Sequence, residues 1–357
     1  MKGSIRNFFP GGNTSYGFYS FYQYIIDENI AKRKICIKGG PGTGKSSLMK
    51  NIGNFFVNKG YNIEYHHCSS DNNSLDGVVI KGLEVALIDG TSPHIVDPAN
   101  PGAVDEILNM GQHWNEEGFK QYKKSIIETN KEIKNTFERA YSFFKASKLI
   151  HDDWSNFHRS ALSSSKLLLL EEDLKNKVFS NSLCKTLGSD RHIFATAFTP
   201  NGIVTYIENL TESCNKIYVL NGGPGTGKTQ VLTFLYKEAL RRGFFIEVYH
   251  DPLIPDRIEH IIIPELKTAI ITSNEINNQK FTGTQIFMEN LIDYSKINKD
   301  ELVKSKETFY NLLNKGLSVI SSAKNLHDQL EKYYVCNMNF KEIDETYKLL
   351  LDRLLKY

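Results

Sequence analysis

Two glycine-rich segments in this chain carry lysine and hydroxyl residues at one fixed spacing. The first reads Gly39-Gly40-Pro41-Gly42-Thr43-Gly44-Lys45-Ser46-Ser47. The second reads Gly222-Gly223-Pro224-Gly225-Thr226-Gly227-Lys228-Thr229-Gln230. Both fit G-x-x-x-x-G-K-[ST], a loop in which glycines let backbone N–H groups converge on phosphate oxygens. Lys45 and Lys228 would set an ammonium on the outer phosphates of a nucleoside triphosphate, with ATP as the default. Ser46 and Thr229 would each offer a hydroxyl to Mg²⁺. The helix that follows each loop would point its positive end at the same anion.

A loop of this kind works only between a buried strand and a helix. The apolar runs Ile35-Cys36-Ile37 and Ile217-Tyr218-Val219-Leu220 precede the two loops. After the first loop, Leu48, Met49, Ile52, Phe55 and Phe56 fall on one helical face. Gly60 is placed to stop that helix. Strands are expected over 61–65, 78–80 and 85–88, and a short helix over 20–28 with Tyr24 and Ile25 on its apolar side. Thr14 and Thr199 read as helix N-caps. Strands alternating with helices after such a loop predict an α/β fold with a mostly parallel, doubly wound sheet.

The loops belong to a longer duplication. Gly60 pairs with Gly243, Ile63-Glu64 with Ile246-Glu247, His67 with His250, and Leu83 with Leu266 at constant offset. Upstream, Arg6, Phe9, Thr14 and Gly17 match Arg191, Phe194, Thr199 and Gly202. Downstream, Lys148-x-Ile150-His151-Asp152 echoes Lys324-x-Leu326-His327-Asp328. A repeat of about 180 residues is a domain duplication, not a short-repeat array. The expected division is 1–188 (core about 1–102, helical arm about 103–188) and 189–357 (core about 189–275, arm about 276–357). In the arms, Phe119, Tyr122, Ile126, Ile133, Phe137, Tyr141 and Phe144 recur at helical spacing. Phe309, Leu312, Leu313, Ile320, Ala323, Leu326, Leu330 and Tyr333 do the same. The arms could serve as lid, brace or partner surface, or simply as added helical packing.

The copies differ where Mg²⁺ would be held. Asp89 ends the apolar run Val85-Ala86-Leu87-Ile88, whereas the second copy has Thr272 after Ala269-Ile270-Ile271. A neutral hydroxyl is a poorer anchor for this hard cation than a carboxylate. The segments Gly90-Thr91-Ser92-Pro93-His94 and Asp97-Pro98-Ala99-Asn100-Pro101-Gly102 are special to the first copy. They are expected at the strand's C-terminal edge, where ligands bind in open α/β sheets. A hydrolytic first site and a binding-only second site follow from this asymmetry. For the residue that positions water, Asp71, Glu64, His67 and Asp76 stay open as candidates. His94 could sense a phosphate or cap a loop. Arg6 and Arg191 could act as charge-stabilising fingers or as surface contacts.

Bulk properties limit the alternatives. The chain has 357 residues, formal net charge +2 and five scattered cysteines without a CxxC pair. No polyanion attraction, disulfide framework, signal peptide or membrane segment is expected, and the cytoplasm is the expected compartment. His66-His67-Cys68 lacks a second ligand pair at metal-site spacing. Lys120, Lys123, Lys124, Lys131 and Lys134 make one helix basic, but Glu128, Glu132 and Glu138 are mixed in, which disfavours a nucleic-acid partner.

With the doubled loops, Leu75-Asp76-Gly77-Val78-Val79, the Asp89 and Asp97 segments and Arg191-His192-Ile193-Phe194, the chain resembles a family over essentially its full length. These are the cytosolic bacterial tandem P-loop proteins labelled as ATPase or nucleotide-kinase-like. That resemblance implies ATP binding and hydrolysis, and supplies no partner. The reading is therefore a Mg²⁺-dependent ATPase with a protein partner still to be named. The competing readings are a kinase acting on a nucleotide or another small-molecule acceptor, and an ATP-gated scaffold that does not hydrolyse.

Overall fold

The computed structural model describes residues 2–91, 95–179 and 186–357. The first half starts with β1 (Ile5–Phe8) and a hairpin of β2 (Gly11–Thr14) and β3 (Gly17–Ser20). Next come β4 (Arg33–Lys38), α1 (Lys45–Asn58), β5 (Ile63–His67), β6 (Leu75–Ile80), β7 (Val85–Asp89) and β8 (Asp105–Asn109). A one-turn α2 (Glu116–Phe119) leads into α3 (Lys123–Ala161) and α4 (Ser164–Val178).

The second half repeats the plan. It runs β9 (Asp190–Ile193), β10 (Thr196–Thr199), β11 (Gly202–Thr205), α5 (Ile207–Thr211), β12 (Lys216–Asn221) and α6 (Lys228–Arg241). Then follow β13 (Ile246–His250), β14 (Ile258–Ile263), β15 (Thr268–Ser273), β16 (Thr284–Phe287), α7 (Lys299–Val335) and α8 (Phe340–Leu354).

Each half contributes a six-stranded sheet, in the order β1-β5-β6-β7-β4-β8 and, strand for strand, β9-β13-β14-β15-β12-β16. Both sheets are mixed rather than mostly parallel, because β6 and β14 run antiparallel to both neighbours. The short link of residues 81–84 between β6 and β7 permits only a hairpin, since a parallel return needs a long crossover. The glycine loops follow β4 and β12, which lie between two parallel neighbours and are buried along their apolar runs.

The helices after the loops end as the sequence predicts. Gly60 and Gly243 adopt φ of 97° and 83°. Tyr61 N–H donates to Phe56 O at 3.1 Å and Gly60 N–H to Val57 O at 3.1 Å, closing α1 in a Schellman motif; α6 is closed in the same way. Two expectations near the N-terminus differ. Residues 20–28 contain only a 3-10 turn, Tyr22–Tyr24, rather than a helix. Thr14 and Thr199 close hairpins, each hydroxyl bonding the carbonyl of the glycine three residues on at 2.8 and 3.0 Å. The αL glycines Gly17 and Gly202 are the turn signal that favours a hairpin here.

The helical arms are exchanged. Residues 164–178 follow the first sheet in sequence, yet Leu167, Leu174 and Val178 of α4 pack with Val231, Leu232, Leu235 and Ala239 of α6. Reciprocally, Ile343, Leu350 and Leu354 of α8 join Leu48, Met49 and Ile52 of α1. The 39-residue α3 and 37-residue α7 lie against each other, with Ala140 and Phe144 meeting Leu313 and Ile320. Each compact body is thus a sheet from one half and a terminal helix from the other. Among the described residues no helix is long and apolar enough to cross a membrane.

Candidate functional site

Each glycine loop turns into its helix through left-handed glycines. Gly42 and Gly44 have φ of 68° and 89°, and Gly225 and Gly227 have 75° and 98°. Residues with a Cβ rarely hold that conformation. Thr43 Oγ1 donates to Gly40 O at 2.8 Å, and Thr226 Oγ1 to Gly223 O at 2.9 Å, which fixes both curls. Lys45 Nζ folds back onto Gly39 O at 2.9 Å and Gly40 O at 2.8 Å. Lys228 Nζ does the same with Gly222 O and, at 2.6 Å, Gly223 O. Ser46, Ser47, Thr229 and Gln230 occupy the first turns of α1 and α6.

At the first loop, Asp89 ends β7 beside Ile37 of β4, and its carboxylate lies 3.6 Å from Lys45 Nζ. Burial pushes the Asp89 carboxyl upward; the charge of Lys45 opposes this and that of Asp76 adds to it. A carboxylate desolvated in this way and paired at only 3.6 Å fits a cation ligand. Thr91 Oγ1 donates to Gly39 O at 2.8 Å, tying the end of β7 to the loop. Ser46 Oγ accepts Leu75 N–H at 3.0 Å. Asp76 is buried and accepts the Tyr22 hydroxyl at 2.7 Å.

At the second loop, Thr272 holds the register of Asp89, beside Leu220 of β12, and is buried. The acids here are different ones. Glu275 lies within charge range of Lys228 and accepts from His151 Nε2 at 2.7 Å. Burial opposes ionisation of Glu275, but His151, Lys228 and Arg257 outweigh it and hold it below the usual carboxylate range. Asp251 and Arg257 lie 3.5 Å apart in the same buried group.

Both loops are covered by the arm of the opposite half. On the first, the Tyr334 ring of α7 lies so close to Gly40 that a Cβ there would come within 2.2 Å of it. Lys324 of α7 reaches Asp71 at 3.3 Å. On the second, a Cβ at Gly225 would meet Ser155 O of α3 at 2.1 Å. His158 of α3 donates from Nδ1 to Pro224 O at 2.6 Å. The glycines therefore serve the arms as well as the curl of the loop.

Among the candidates for positioning water, Asp76 comes within charge range of Asp89. Asp71 is tied to Ser74 Oγ at 3.0 Å and to the arm through Lys324. Glu64 and His67 are not part of the site. Glu64 receives Arg191 in a bidentate pair at 3.0 and 2.8 Å, and Glu247 receives Arg6 at 2.7 and 2.6 Å. Both pairs cross between the halves, and both guanidiniums pack on the Phe8 ring, 5.1 and 4.9 Å from its centroid. Burial opposes the charge on Glu64, but Arg191 holds it far below the usual range. Arg6 and Arg191 are thus structural clasps, neither fingers nor surface residues. His67 packs on Tyr206 and bonds Asn7 Oδ1 at 2.9 Å; burial pushes its pKa down to about 4.

The loop special to the first copy only begins at the expected edge. Lys38 Nζ holds Asp97 there at 2.6 Å, but Ala99 and Asn100 N–H groups donate to Asp105 at the other end of β8. Ser92, Pro93 and His94 lie outside the described residues. The residues that sequence reasoning missed are Tyr334, His158, His151 and Glu275. The signal was the repeated Lys-x-x-His-Asp at 148–152 and 324–328, which marks the stretch of each arm that approaches the opposite loop. No protein-family model, curated protein or solved structure matches the chain.

Proposed function

We propose that the chain is a Mg²⁺-dependent ATPase built from two P-loop NTPase cores, kin to the bacterial tandem P-loop proteins it resembles. In this reading the first site hydrolyses ATP and the second binds it. The observation that carries the reading is the pairing of Asp89 with Lys45 at 3.6 Å beside one loop, against Thr272 in the same register beside the other.

At the first site the loop amides and Lys45 would hold the β- and γ-phosphates. Ser46 and Asp89 would hold Mg²⁺, which when bound neutralises charge on those phosphates. Asp76 would be the acid to orient water. Lys45 must leave Gly39 O and Gly40 O to meet a phosphate, exchanging bonds to neutral carbonyls for one to a charged oxygen. At the second site the loop and Lys228 would bind phosphates without a carboxylate in the Asp89 position.

The exchanged arms support a switching role. Tyr334 lies on the first loop and His158 on the second, so a change in either loop displaces an arm rooted in the other half. The test is phosphate release from ATP by the purified chain, with and without Mg²⁺, alongside calorimetric titration with ATP. Two bound nucleotides and Mg²⁺-dependent turnover are expected. Absence of nucleotide binding would remove the whole reading. Binding without turnover would leave an ATP-gated scaffold.

A further inference from the structure

A cavity of about 550 Å³ opens beside the second loop, against Gly222 and Gly223. It is walled by both halves: Trp154 and His158 from α3, the segment after β15, Phe287 and Glu289 at β16, and Tyr310 from α7. The size suits a small-molecule ligand. The polar atoms decide its chemistry.

Several of the donors in this lining are already used. Asn221 Nδ2 is spent on Val219 O and Gln285 Oε1, at 3.1 and 2.9 Å. Ser273 Oγ donates to Gln279 O at 2.8 Å, Asn274 Nδ2 to Glu259 at 3.0 Å, and the Tyr310 hydroxyl to Glu275 O at 3.1 Å. Three acceptors are left over. His158 is 4% exposed and donates from Nδ1 to Pro224 O, which leaves Nε2 of the neutral ring as a lone pair with no partner among the described residues. Glu275 Oε2 is buried and has no hydrogen-bond partner. The Glu289 carboxylate makes no hydrogen bond or ion pair among the described residues, and its Oε1 would lie 3.4 Å from a Cβ on Gly222. The one lysine in the lining, Lys306, already sits with Nζ 5.8 Å from the Trp154 ring centroid. An aromatic face that attracts a lysine will attract a ligand cation.

We propose that this cavity is a binding site for a small organic cation, an amine or guanidine, held by Glu289 and His158 Nε2 and stacked on the aromatic wall. A ligand of this class supplies donors to these acceptors, and places positive charge beside the unpaired Glu289 carboxylate. The proposal goes beyond the nucleotide reading: the cavity adjoins the second loop at Gly222 and Gly223, but the groups that would hold the cation are Glu289, His158 and Trp154 rather than the loop amides and Lys228.

The test is calorimetric titration of the full chain, without nucleotide, using agmatine as probe. The control is 4-guanidinobutyrate, which keeps the guanidinium and chain but ends in a carboxylate. Agmatine is expected to bind about tenfold more tightly than the control, the effect of one charged hydrogen bond. Glu289→Gln should weaken agmatine about tenfold. Lys306→Met should tighten it about threefold by vacating the Trp154 face. A gain in affinity cannot arise from a misfolded variant, so Lys306→Met guards the test against loss of fold. No agmatine binding, equal binding of both probes, or indifference to Glu289→Gln would overturn the assignment. Because ATP is absent, none of these results bears on whether the loops bind nucleotide.

Discussion

The two glycine loops share a backbone and differ in what surrounds it. Both have left-handed glycines at the same two places and a lysine folded onto the same two carbonyls. Around the first, a carboxylate at the end of β7 faces the lysine and an aromatic ring covers the loop. Around the second, the strand ends in Thr272, and the charge is supplied by Glu275 clasped to a histidine from the other half. The two halves thus share the curl of the loop and differ in the neighbouring acids. In the proposed reading the loops would bind nucleotide, and the strand beside each would decide whether it is hydrolysed.

The comparison is broken most forcefully through the clasps between the halves. Arg191→Ala would take the bidentate partner from buried Glu64 and leave it only Arg6 at 3.9 Å and His66 at 3.7 Å, at a cost of about 3 kcal/mol of stability. Arg6→Ala should cost less, because Glu247 keeps the Tyr249 hydroxyl at 2.9 Å and the Arg6 side chain is 30% exposed. Chemical denaturation of the two variants measures the difference; equal losses would mean the two pairs are interchangeable.

Asp89→Asn should lower ATP turnover by about a hundredfold or more while leaving ATP titration at two sites. Thr272→Ala should change turnover less than about threefold, a figure set against the much larger loss that follows removal of a charged stabilising group. Similar losses in both variants would erase the asymmetry.

Acid should weaken the junction between the halves. Burial pushes both His67 and His250 down to about 4, from an ordinary value of 6.5. A base with a depressed folded pKa is neutral in the fold and takes up protons on unfolding. Its contribution is therefore complete above pH 6.5 and declines as pH falls toward 4. Each histidine could account for as much as about 3 kcal/mol across that window. Melting temperatures followed from pH 7 to 4 would show the decline; a flat profile would mean the rings are solvated in the fold.

The smallest effect concerns the arms. Gly225→Ala places a Cβ 2.1 Å from a backbone oxygen, whereas Gly42→Ala meets a movable Val335 methyl at 2.9 Å. Both carry the left-handed penalty, so the expected excess for Gly225→Ala is about 1–2 kcal/mol. Thermal unfolding of the pair measures it. The reverse order would mean that α3 gives way more easily than α7.

How much of this was legible in the sequence depended on whether the cause was local. The loops, the strands before them and the Gly60 stop follow from residues adjacent in the chain, and they could be read directly. The antiparallel β6 was missed because its apolar alternation carries no direction. The hairpin at Thr14 was mistaken for a cap because a threonine hydroxyl closes either kind of turn. Glu64 and His67 looked functional because they recur in both copies. They recur because each half needs the same residues to clasp the other. The exchange of arms had a trace in the repeated Lys-x-x-His-Asp, but nothing in a linear pattern says which half a helix will cover. That is set by the α3–α7 packing, in which Phe144 meets Leu313 and Ile320.

The most direct test of the account is steady-state ATP hydrolysis by wild type, Lys45→Ala and Lys228→Ala under identical conditions. The account predicts that Lys45→Ala abolishes turnover and that Lys228→Ala retains a substantial part of it while losing one bound nucleotide. Equal loss in both variants would contradict the asymmetry drawn from Asp89 and Thr272, and would mean that the two loops turn over only as a coupled pair.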